Sequence, residues 1–454
     1  MVVLALAAAV LISTIVALVI PRQRVLPAAV LVCLGVLAVF GNNSVPRLLW
    51  VGSFLFSGFI AAIAVLRRPS VGTGRPSWTF WAITAAWTWL AVGVILTHSS
   101  SISRIILYAG LCVTLAALGA RLDPDGRRLV FHGILWVALG ETVVGVATLV
   151  AGAKPLWGYR GAMDPTNHLF AGTIDRVQGT LGHPIVFGLV IGVAAIIAWT
   201  NTIRLRRGIR VLWLTVLAAG LVLSGTRSAI AAVIAAILVH LVVRGRLGAW
   251  VRNVIVASAL AGILAIMDFG VSARIQTLVQ SGSWTHRLAS IESVPALLGR
   301  PPFDTWFGHG FGSEVQLFTS GLIPLTFGLP VVDDFWVYLL GTTGIAGLAV
   351  VVGAFVIALG RGDRQGIAIL VFIIGMGFSF DLFVWLFAGV LVSLLLPLTE
   401  RLEGRSDARP SRREVLGAHQ TSNREDSLGQ LDDASSPATE EAPRHLQPAD
   451  SLPQ

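Results

Sequence analysis

Residues 270–318 read GVSARIQTLVQSGSWTHRLASIESVPALLGRPPFDTWFGHGFGSEVQLF and make up most of a polar segment, 271–332, that interrupts a series of apolar runs. Its charged residues make the segment too polar to cross a bilayer, although it is rich in Trp, Phe and Gly. Ordering so long a loop costs conformational entropy that a plain connection would avoid. The segment therefore predicts a functional loop between otherwise short connections.

The rest of the chain has the composition of a membrane protein. Of its 454 residues, 55% are apolar and only 13% are charged, and the mean hydropathy is +0.79. A segment of about 20 apolar residues crosses the hydrocarbon core of a bilayer. Thirteen such segments are predicted, at 1–20, 25–40, 48–66, 78–97, 102–119, 129–151, 184–200, 209–224, 228–243, 253–269, 333–359, 366–381 and 383–399. The predicted fold is an all-α, polytopic membrane helix bundle of about 12–13 transmembrane helices.

The net charge of +9 does not indicate nucleic acid, because the arginines lie mainly in short loops between apolar segments. Arginine-bearing loops alternate along the chain, and the positive-inside rule places them in the cytoplasm. These loops contain Arg22, Arg24, Arg67, Arg68, Arg75, Arg121, Arg127, Arg128, Arg204, Arg206, Arg207, Arg210, Arg244, Arg246, Arg252, Arg361 and Arg364. The long loops 152–183 and 271–332 are then external.

Residues 401–454 differ in composition from the membrane domain, 1–400. They are rich in Ser, Pro, Asp, Glu, Arg and Gln and have almost no aromatic or β-branched residues. Such a segment cannot bury enough apolar surface to order itself, so a disordered cytoplasmic tail is predicted. Cys33 and Cys112 both lie in apolar segments and are interpreted as packing residues.

The first external loop carries two polar candidates in TIDRVQGTLGHPIVFG, residues 173–188. The forked donors of Arg176 suit phosphate oxygens, and His183 follows just before an apolar segment. Arg227 lies in a short external turn, LSGTRSAIAA, residues 223–232. The alternative for both arginines is an interaction with lipid headgroups.

The long loop is predicted to contain an amphipathic helix, 286–298, that could lie on the membrane surface. Arg287 is its candidate cation, and His286 and His309 are secondary candidates together with His183. The glycines around His309 equally fit a structural turn. One face of the predicted helix carries Leu288, Ile291, Pro295 and Leu298.

Two acids, Asp333 and Asp334, precede the apolar segment in VVDDFWVYLLGTTGIAGLAV, residues 331–350. They either cap a helix N-terminus or include a general base that nearby arginines keep ionised. Asp123 and Asp125 in RLDPDGRR are read as a Pro-Asp-Gly turn rather than as metal ligands. No other metal-ligand spacing occurs, and no metal or cofactor is predicted.

Taken in order, RVQGTLGHP, SGTRS, Arg287 followed by FGHGFG, and DDFWVYLLGTTGIAGL resemble the O-antigen ligase and polymerase family. The resemblance covers roughly 170–360 by motif. It implies a membrane-embedded glycosyltransferase at the external face of the inner (cytoplasmic) membrane, in cell-surface polysaccharide biosynthesis. Its donor would be a polyprenyl-diphosphate-linked glycan, and its partners a glycan or other hydroxyl acceptor, membrane lipid and other polysaccharide assembly proteins.

By this resemblance, Arg176 and Arg287 would hold the diphosphate, with Arg227 as a weaker third candidate. Asp333 and Asp334 match a His-Asn or Asp-Asn pair, and Asp333 is favoured as the base. Ligases typically carry His at Asp333 and an acid at Thr342, so the departures favour a polymerase. Arginines in place of a metal predict metal independence, and a single attack predicts inversion.

Two other classes share parts of this pattern. A transporter or flippase of lipid-linked saccharide would have the same topology and arginines but would need no base. A structural scaffold would tolerate replacement of the polar residues. No obvious pair of broken helices marks a transporter, and the concentration of polar residues on one side, with few charges inside the helices, favours surface chemistry.

Overall fold

The computed structural model describes residues 19–42, 44–67, 77–97, 102–159, 165–170, 172–244, 282–325 and 332–401. In chain order the helices in these ranges are α1 (Val25–Phe40), α2 (Arg47–Leu66), α3 (Trp78–Leu96), α4 (Ile102–Ala120), α5 (Pro124–Val150), α6 (Pro184–Thr200), α7 (Arg207–Ser224), α8 (Arg227–Arg244), α9 (Gly282–Glu292), α10 (Val294–Leu298), α11 (Pro302–Phe307), α12 (Glu314–Thr319), α13 (Phe335–Arg361), α14 (Arg364–Gly377) and α15 (Leu386–Leu398). Two short 3₁₀ turns lie at Arg22–Arg24 and His168–Phe170.

The all-α membrane bundle is confirmed. Six helices are long and apolar enough to cross a membrane: α1, α2, α3, α5, α7 and α13. Shorter apolar helices are found in α4, α6, α8, α14 and α15. The β-structure of the described residues consists of two isolated bridges. The chain is therefore a multi-pass membrane protein. The predicted segment 253–269, all but the end of segment 1–20, and the predicted tail from residue 402 lie outside the described residues.

The helix ends form two groups that match the predicted alternation of the loops. At the arginine-rich end, defined by Arg127, Arg210, Arg361 and Arg364, the guanidinium groups of Arg127 and Arg210 bind the carbonyls of neighbouring helix ends. Arg127 donates from Nη1 to the carbonyl oxygens of Leu398 and Glu400, at 3.2 and 2.7 Å. The opposite end, called the loop end, carries the described residues of the two long loops, 152–159, 165–170, 172–183, 282–325 and 332.

Two apolar helices, α6 and α15, form the centre of the bundle. All thirteen residues of α15 are buried, and so are nearly all residues of α6. A helix that is apolar on every side can lie in lipid or inside a protein, and here the other helices of the bundle surround both. These two helices therefore fix the core against which the loop end is built.

The helix that follows Asp334 is broken at Gly344. Gly344 has φ 68° and ψ −171°, so the helical hydrogen bonding of α13 stops there and resumes at residue 345. A Cβ at this position would overlap the backbone of Trp306 in the long loop. The sequence predicts one apolar segment over 333–359, whereas the structure divides it into a short piece, 335–343, and a longer piece, 345–361.

The long loop supplies the hydrogen bonds that the break removes. Arg300 donates from Nη2 to the carbonyl of Leu340 at 3.0 Å and from Nη1 to that of Gly341 at 2.8 Å. The backbone N–H of Gly310 donates to the carbonyl of Thr342 at 2.7 Å. A buried carbonyl without a donor is costly, so the loop and the broken helix stabilise each other.

The predicted helix 286–298 is instead two helices, α9 and α10, that meet at Ser293. The prediction of one continuous helix was wrong because Pro295 has no N–H to donate to the carbonyl of Ile291. The four residues of the predicted apolar face are all exposed. Leu297 is the buried residue of α10.

Asp123 has a structural role, although not the predicted turn. Its carboxylate caps the N-terminus of α5 by accepting from the N–H of Gly126 at 2.7 Å, and Pro124 occupies the first turn. Both residue types are favoured at these positions of a helix. The Pro-Asp-Gly sequence is thus the beginning of α5.

We predict that Gly344→Ala destabilises the protein by at least about 2 kcal/mol, because alanine combines a positive φ with overlap against backbone that cannot move aside. Gly353→Ala is the matched control, since it lies on α13 with no atom near its Cβ position. Thermal unfolding of the two variants in the same detergent measures the difference. Equal unfolding temperatures would show that the break is not required.

Candidate functional site

The predicted site residues lie at the loop end of the bundle and fall into two groups. Arg176, His183 and Arg227 surround the junction of α6, α7 and α8. Arg287, Asp333 and Asp334 surround the beginning of α13. The side chain of His286 lies outside the described residues, although its backbone belongs to α9.

Arg176 contacts the carboxyl end of α7. Its Nε donates to the carbonyl of Ser224 at 3.0 Å, and its Nη2 donates to the Thr226 hydroxyl at 3.2 Å. The end of a helix carries partial negative charge on its unpaired carbonyls, so a guanidinium is stabilised there. These bonds fix the orientation of the guanidinium.

Arg227 is the first residue of α8 and directly follows Thr226. Arg176 is thereby placed beside the N-terminus of α8, where unpaired N–H groups carry partial positive charge. We call Arg176, Arg227 and the N-terminus of α8 the cationic corner. Guanidinium groups and helix N-termini are both features that bind anions in proteins.

The loop that carries Arg176 is held by a buried acid, Glu141, inside the membrane helix α5. The N–H of Thr180 donates to Oε2 at 2.6 Å, and the Thr180 hydroxyl lies 2.6 Å from Oε1. Glu141 lies about 13 Å from the end of α5 at the usual helical rise. The loop therefore descends into the bundle to reach this carboxyl group.

The first glycine in the RVQGTLGHP motif permits the close approach of the loop to Glu141. Gly179 has φ 56°, and a Cβ there would overlap Glu141 Oε2. Asn42, just after α1, fixes the same segment by donating from Nδ2 to the carbonyl of Thr180 at 2.7 Å. The motif thus specifies how the loop packs, in addition to any contact with a ligand.

His183 is the N-cap of α6. Its Nδ1 accepts from the N–H of Ile185 at 3.1 Å, which leaves Nε2 as the protonated nitrogen of a neutral ring. The ring packs on Trp385 with centroids 4.9 Å apart. The structure therefore gives this secondary candidate a capping and packing role.

Asp334 is the N-cap of α13, as one of the two interpretations of the acid pair predicts. Its Oδ1 accepts from the N–H groups of Trp336 and Val337, at 2.9 and 3.0 Å. Burial raises the pKa of the Asp334 carboxyl, while these hydrogen bonds and the charge of Arg287 lower it. Because one of its oxygens already accepts two backbone hydrogen bonds, Asp334 is better suited to holding the first turn of α13 than to accepting a proton.

Arg287 lies close enough to Asp333 and Asp334 for its charge to act on both. Burial lowers the pKa of the Arg287 guanidinium, and the two carboxylates raise it. Its buried Nε donates no hydrogen bond to any described residue. Arg287 is thus placed to interact electrostatically with both members of the acid pair.

A turn between α14 and α15 connects the two groups. Phe383 packs on Phe335, the first residue of α13, with ring centroids 4.8 Å apart. Two residues later, Trp385 packs on His183. His183 of the first group and Phe335, which follows the acid pair, therefore both contact one short aromatic segment.

His309 lies between two charged residues of the long loop. Its Nδ1 is 3.5 Å from Arg300 Nη1, and its Nε2 is 3.9 Å from Asp304 Oδ2. Arg300 is committed to the carbonyls of the broken helix, and burial lowers its pKa. His309 therefore lies with the residues that hold the broken helix and not with the acid pair.

Sequence reasoning missed Glu141 and Arg300. Glu141 had a usable signal, because an acid within an apolar segment requires a partner. Arg300 had none, since nothing in the loop sequence marks the carbonyls that it contacts. Among the described residues, no group of three or more His, Cys, Asp or Glu side chains is placed to hold a metal ion.

No protein-family model matches the chain, and no curated protein matches it.

We predict that Glu141→Gln keeps the fold, whereas Glu141→Ala loses about 1–3 kcal/mol of stability. The amide oxygen of glutamine can accept from the Thr180 N–H, and its NH₂ group can donate to the Thr180 hydroxyl. That hydroxyl then donates to the Ala38 carbonyl, 3.1 Å away. Alanine leaves the buried N–H of Thr180 without an acceptor. Thermal unfolding and hydrogen exchange of residues 172–183 measure the effect, and equal losses in both variants would show that the charge itself is required.

Proposed function

We propose that the chain is a glycosyltransferase of the O-antigen ligase and polymerase type, with polymerase preferred. It would transfer glycan from a polyprenyl-diphosphate-linked donor to a hydroxyl acceptor at the external face of the inner membrane. The observation that carries the proposal is the presence, at one end of the bundle, of both a cationic corner and an acid pair. An anionic leaving group and a base are the two requirements of this reaction.

The cationic corner is assigned to the diphosphate. Arg176 is oriented by Ser224 and Thr226, and Arg227 is the residue after Thr226 and the first of its helix. When the sugar–phosphate bond breaks, negative charge develops on the diphosphate. Fixed guanidinium donors stabilise that charge without reorganising, and no metal is needed for this role.

Arg287 has a different electrostatic setting. Asp333, Asp334 and Arg287 carry one net negative charge when all three are ionised. This group alone would repel a diphosphate, so Arg287 contributes a donor through Nε while its charge keeps Asp333 ionised. The diphosphate is therefore assigned to the cationic corner.

Asp333 is assigned as the base. The acceptor oxygen attacks the anomeric carbon as the bond from that carbon to the phosphate oxygen breaks, and the diphosphate leaves with the electron pair. The acceptor proton passes to the Asp333 carboxylate. Attack on the face opposite the leaving group inverts the anomeric centre.

The break in α13 raises the alternative of a transporter or flippase, since broken helices line transport sites. In transporters the exposed carbonyls of such a break coordinate ions. Here Arg300 and Gly310 already donate to the carbonyls of Leu340, Gly341 and Thr342. This observation favours a structural break over an ion site.

We predict that Arg176→Lys lowers glycan transfer by on the order of 100-fold, and that Arg227→Lys causes a smaller loss, because lysine lacks the forked donors. Transfer is measured with purified protein in nanodiscs, lipid-linked glycan from a deletion strain and excess chelator. Arg121→Lys, an exposed arginine at the other end, is the matched control.

Normal transfer by both variants would refute the diphosphate assignment. Loss of activity in chelator for the wild-type protein, with recovery on adding magnesium, would refute the arginine mechanism. Movement of the lipid-linked donor across the bilayer of liposomes, without glycan transfer to an acceptor, would establish the transporter alternative.

We predict that Asp333→Asn lowers turnover by on the order of 100-fold or more while donor binding is kept. Asp334→Asn should have a smaller effect, because asparagine also caps helices well. Donor binding and polymer formation are measured separately, with the exposed Asp125→Asn as control. An Asp333→Asn protein that works normally, or that fails only through loss of donor binding, would overturn the assignment.

A further inference from the structure

The short helix α11 of the long loop presents three aromatic side chains outward. Phe303, Trp306 and Phe307 are 59%, 53% and 38% exposed. Positions spaced by three and four residues share one face of a helix, so these rings form a single apolar surface. Three exposed aromatic residues within one helix of six residues would be unfavourable in water.

The opposite side of α11 is fixed to the protein by polar contacts. Asp304 lies near His309, and the Thr305 hydroxyl donates to the carbonyl of Arg300 at 2.8 Å. The backbone of Trp306 packs against Gly344 at the break of α13. The helix is therefore held in one orientation, with its aromatic face directed away from the bundle.

The position of the break in α13 gives the depth of α11 relative to the membrane. Residues 345–361 span about 26 Å at the usual rise of an α-helix, close to the hydrocarbon thickness of a bilayer. Gly344 then lies at the boundary of the hydrocarbon at the loop end. Since Trp306 contacts Gly344, α11 lies at the same depth.

The aromatic face is also continuous with the lipid-facing surface of the membrane helices. Phe307 stacks on Trp89 of α3, with ring centroids 6.0 Å apart and planes inclined by 25°. Val92 of α3 and Val356 of α13 are also exposed, as expected for apolar side chains that face lipid. Trp and Phe are favoured at this boundary between headgroups and acyl chains.

We propose that α11 is an interfacial helix whose aromatic face inserts into the lipid at the loop end. Its partner is the bilayer surface itself. The inserted helix anchors the long loop on the membrane beside the broken helix. This inference does not depend on the proposed glycosyltransferase activity.

The test uses the full chain in nanodiscs of phosphatidylethanolamine and phosphatidylglycerol. Spin labels are placed in Phe303→Cys and Trp306→Cys, with Val356→Cys as the lipid-facing reference and Ser320→Cys, at an exposed polar position, as the water-facing reference. Cys33 and Cys112 are buried, so labelling of the unmodified protein gives the background. We expect high oxygen and low nickel-chelate accessibility at 303 and 306, as at 356.

Accessibility at 303 and 306 equal to that at 320 would overturn the proposal. Low accessibility to both oxygen and the nickel chelate would show instead that protein, from a second copy or another chain, covers this face. Hydroxyl-radical footprinting of the unmodified protein in the same nanodiscs avoids any folding defect of the variants. We expect Trp306 to be oxidised as slowly as Trp81, which is also 53% exposed and lies on membrane helix α3, and rapid oxidation of Trp306 alone would contradict the insertion.

Discussion

The hydrogen bonds from Arg300 to the broken helix α13 are the interaction on which the loop end depends. A break at the edge of the hydrocarbon exposes carbonyls that lipid cannot satisfy. Arg300 and Gly310 supply the missing donors, so the loop can leave this position only by unpairing them. The order of the long loop is thus a consequence of backbone hydrogen bonding in a medium with little water.

The first external loop obeys the same constraint in a different way. Glu141 and Asn42 satisfy the backbone of Thr180 within the bundle, and Asn167 donates to the carbonyls of Val222 and Leu223 at the end of α7. In the first loop, side chains of the bundle hold the loop and loop side chains also bind the end of α7, whereas in the long loop the Arg300 side chain binds the broken helix. Both arrangements give the charged residues at this end fixed positions.

Much of the architecture could be predicted from the sequence, because apolar length directly reflects the thickness of a bilayer. The cap at Asp334 was also predictable, since an acid before an apolar run is a helix start signal. The break at Gly344 was not, because GTTGIAGL is equally compatible with a continuous apolar helix. Its cause lies in Trp306 and Arg300, which approach from residues distant in sequence and leave no local pattern.

The candidate site was predicted as a set of residues but not as two groups with different electrostatics. Arg176 and Arg287 look equivalent in sequence, since each is an arginine in a long loop. In the structure, Arg176 stands beside the N-terminus of a helix and a second arginine, whereas Arg287 faces two carboxylates. Under the proposed function, the first setting receives the anionic leaving group and the second holds the carboxylate base. No local pattern distinguishes these two settings, because the residues that create them lie far along the chain from the two arginines.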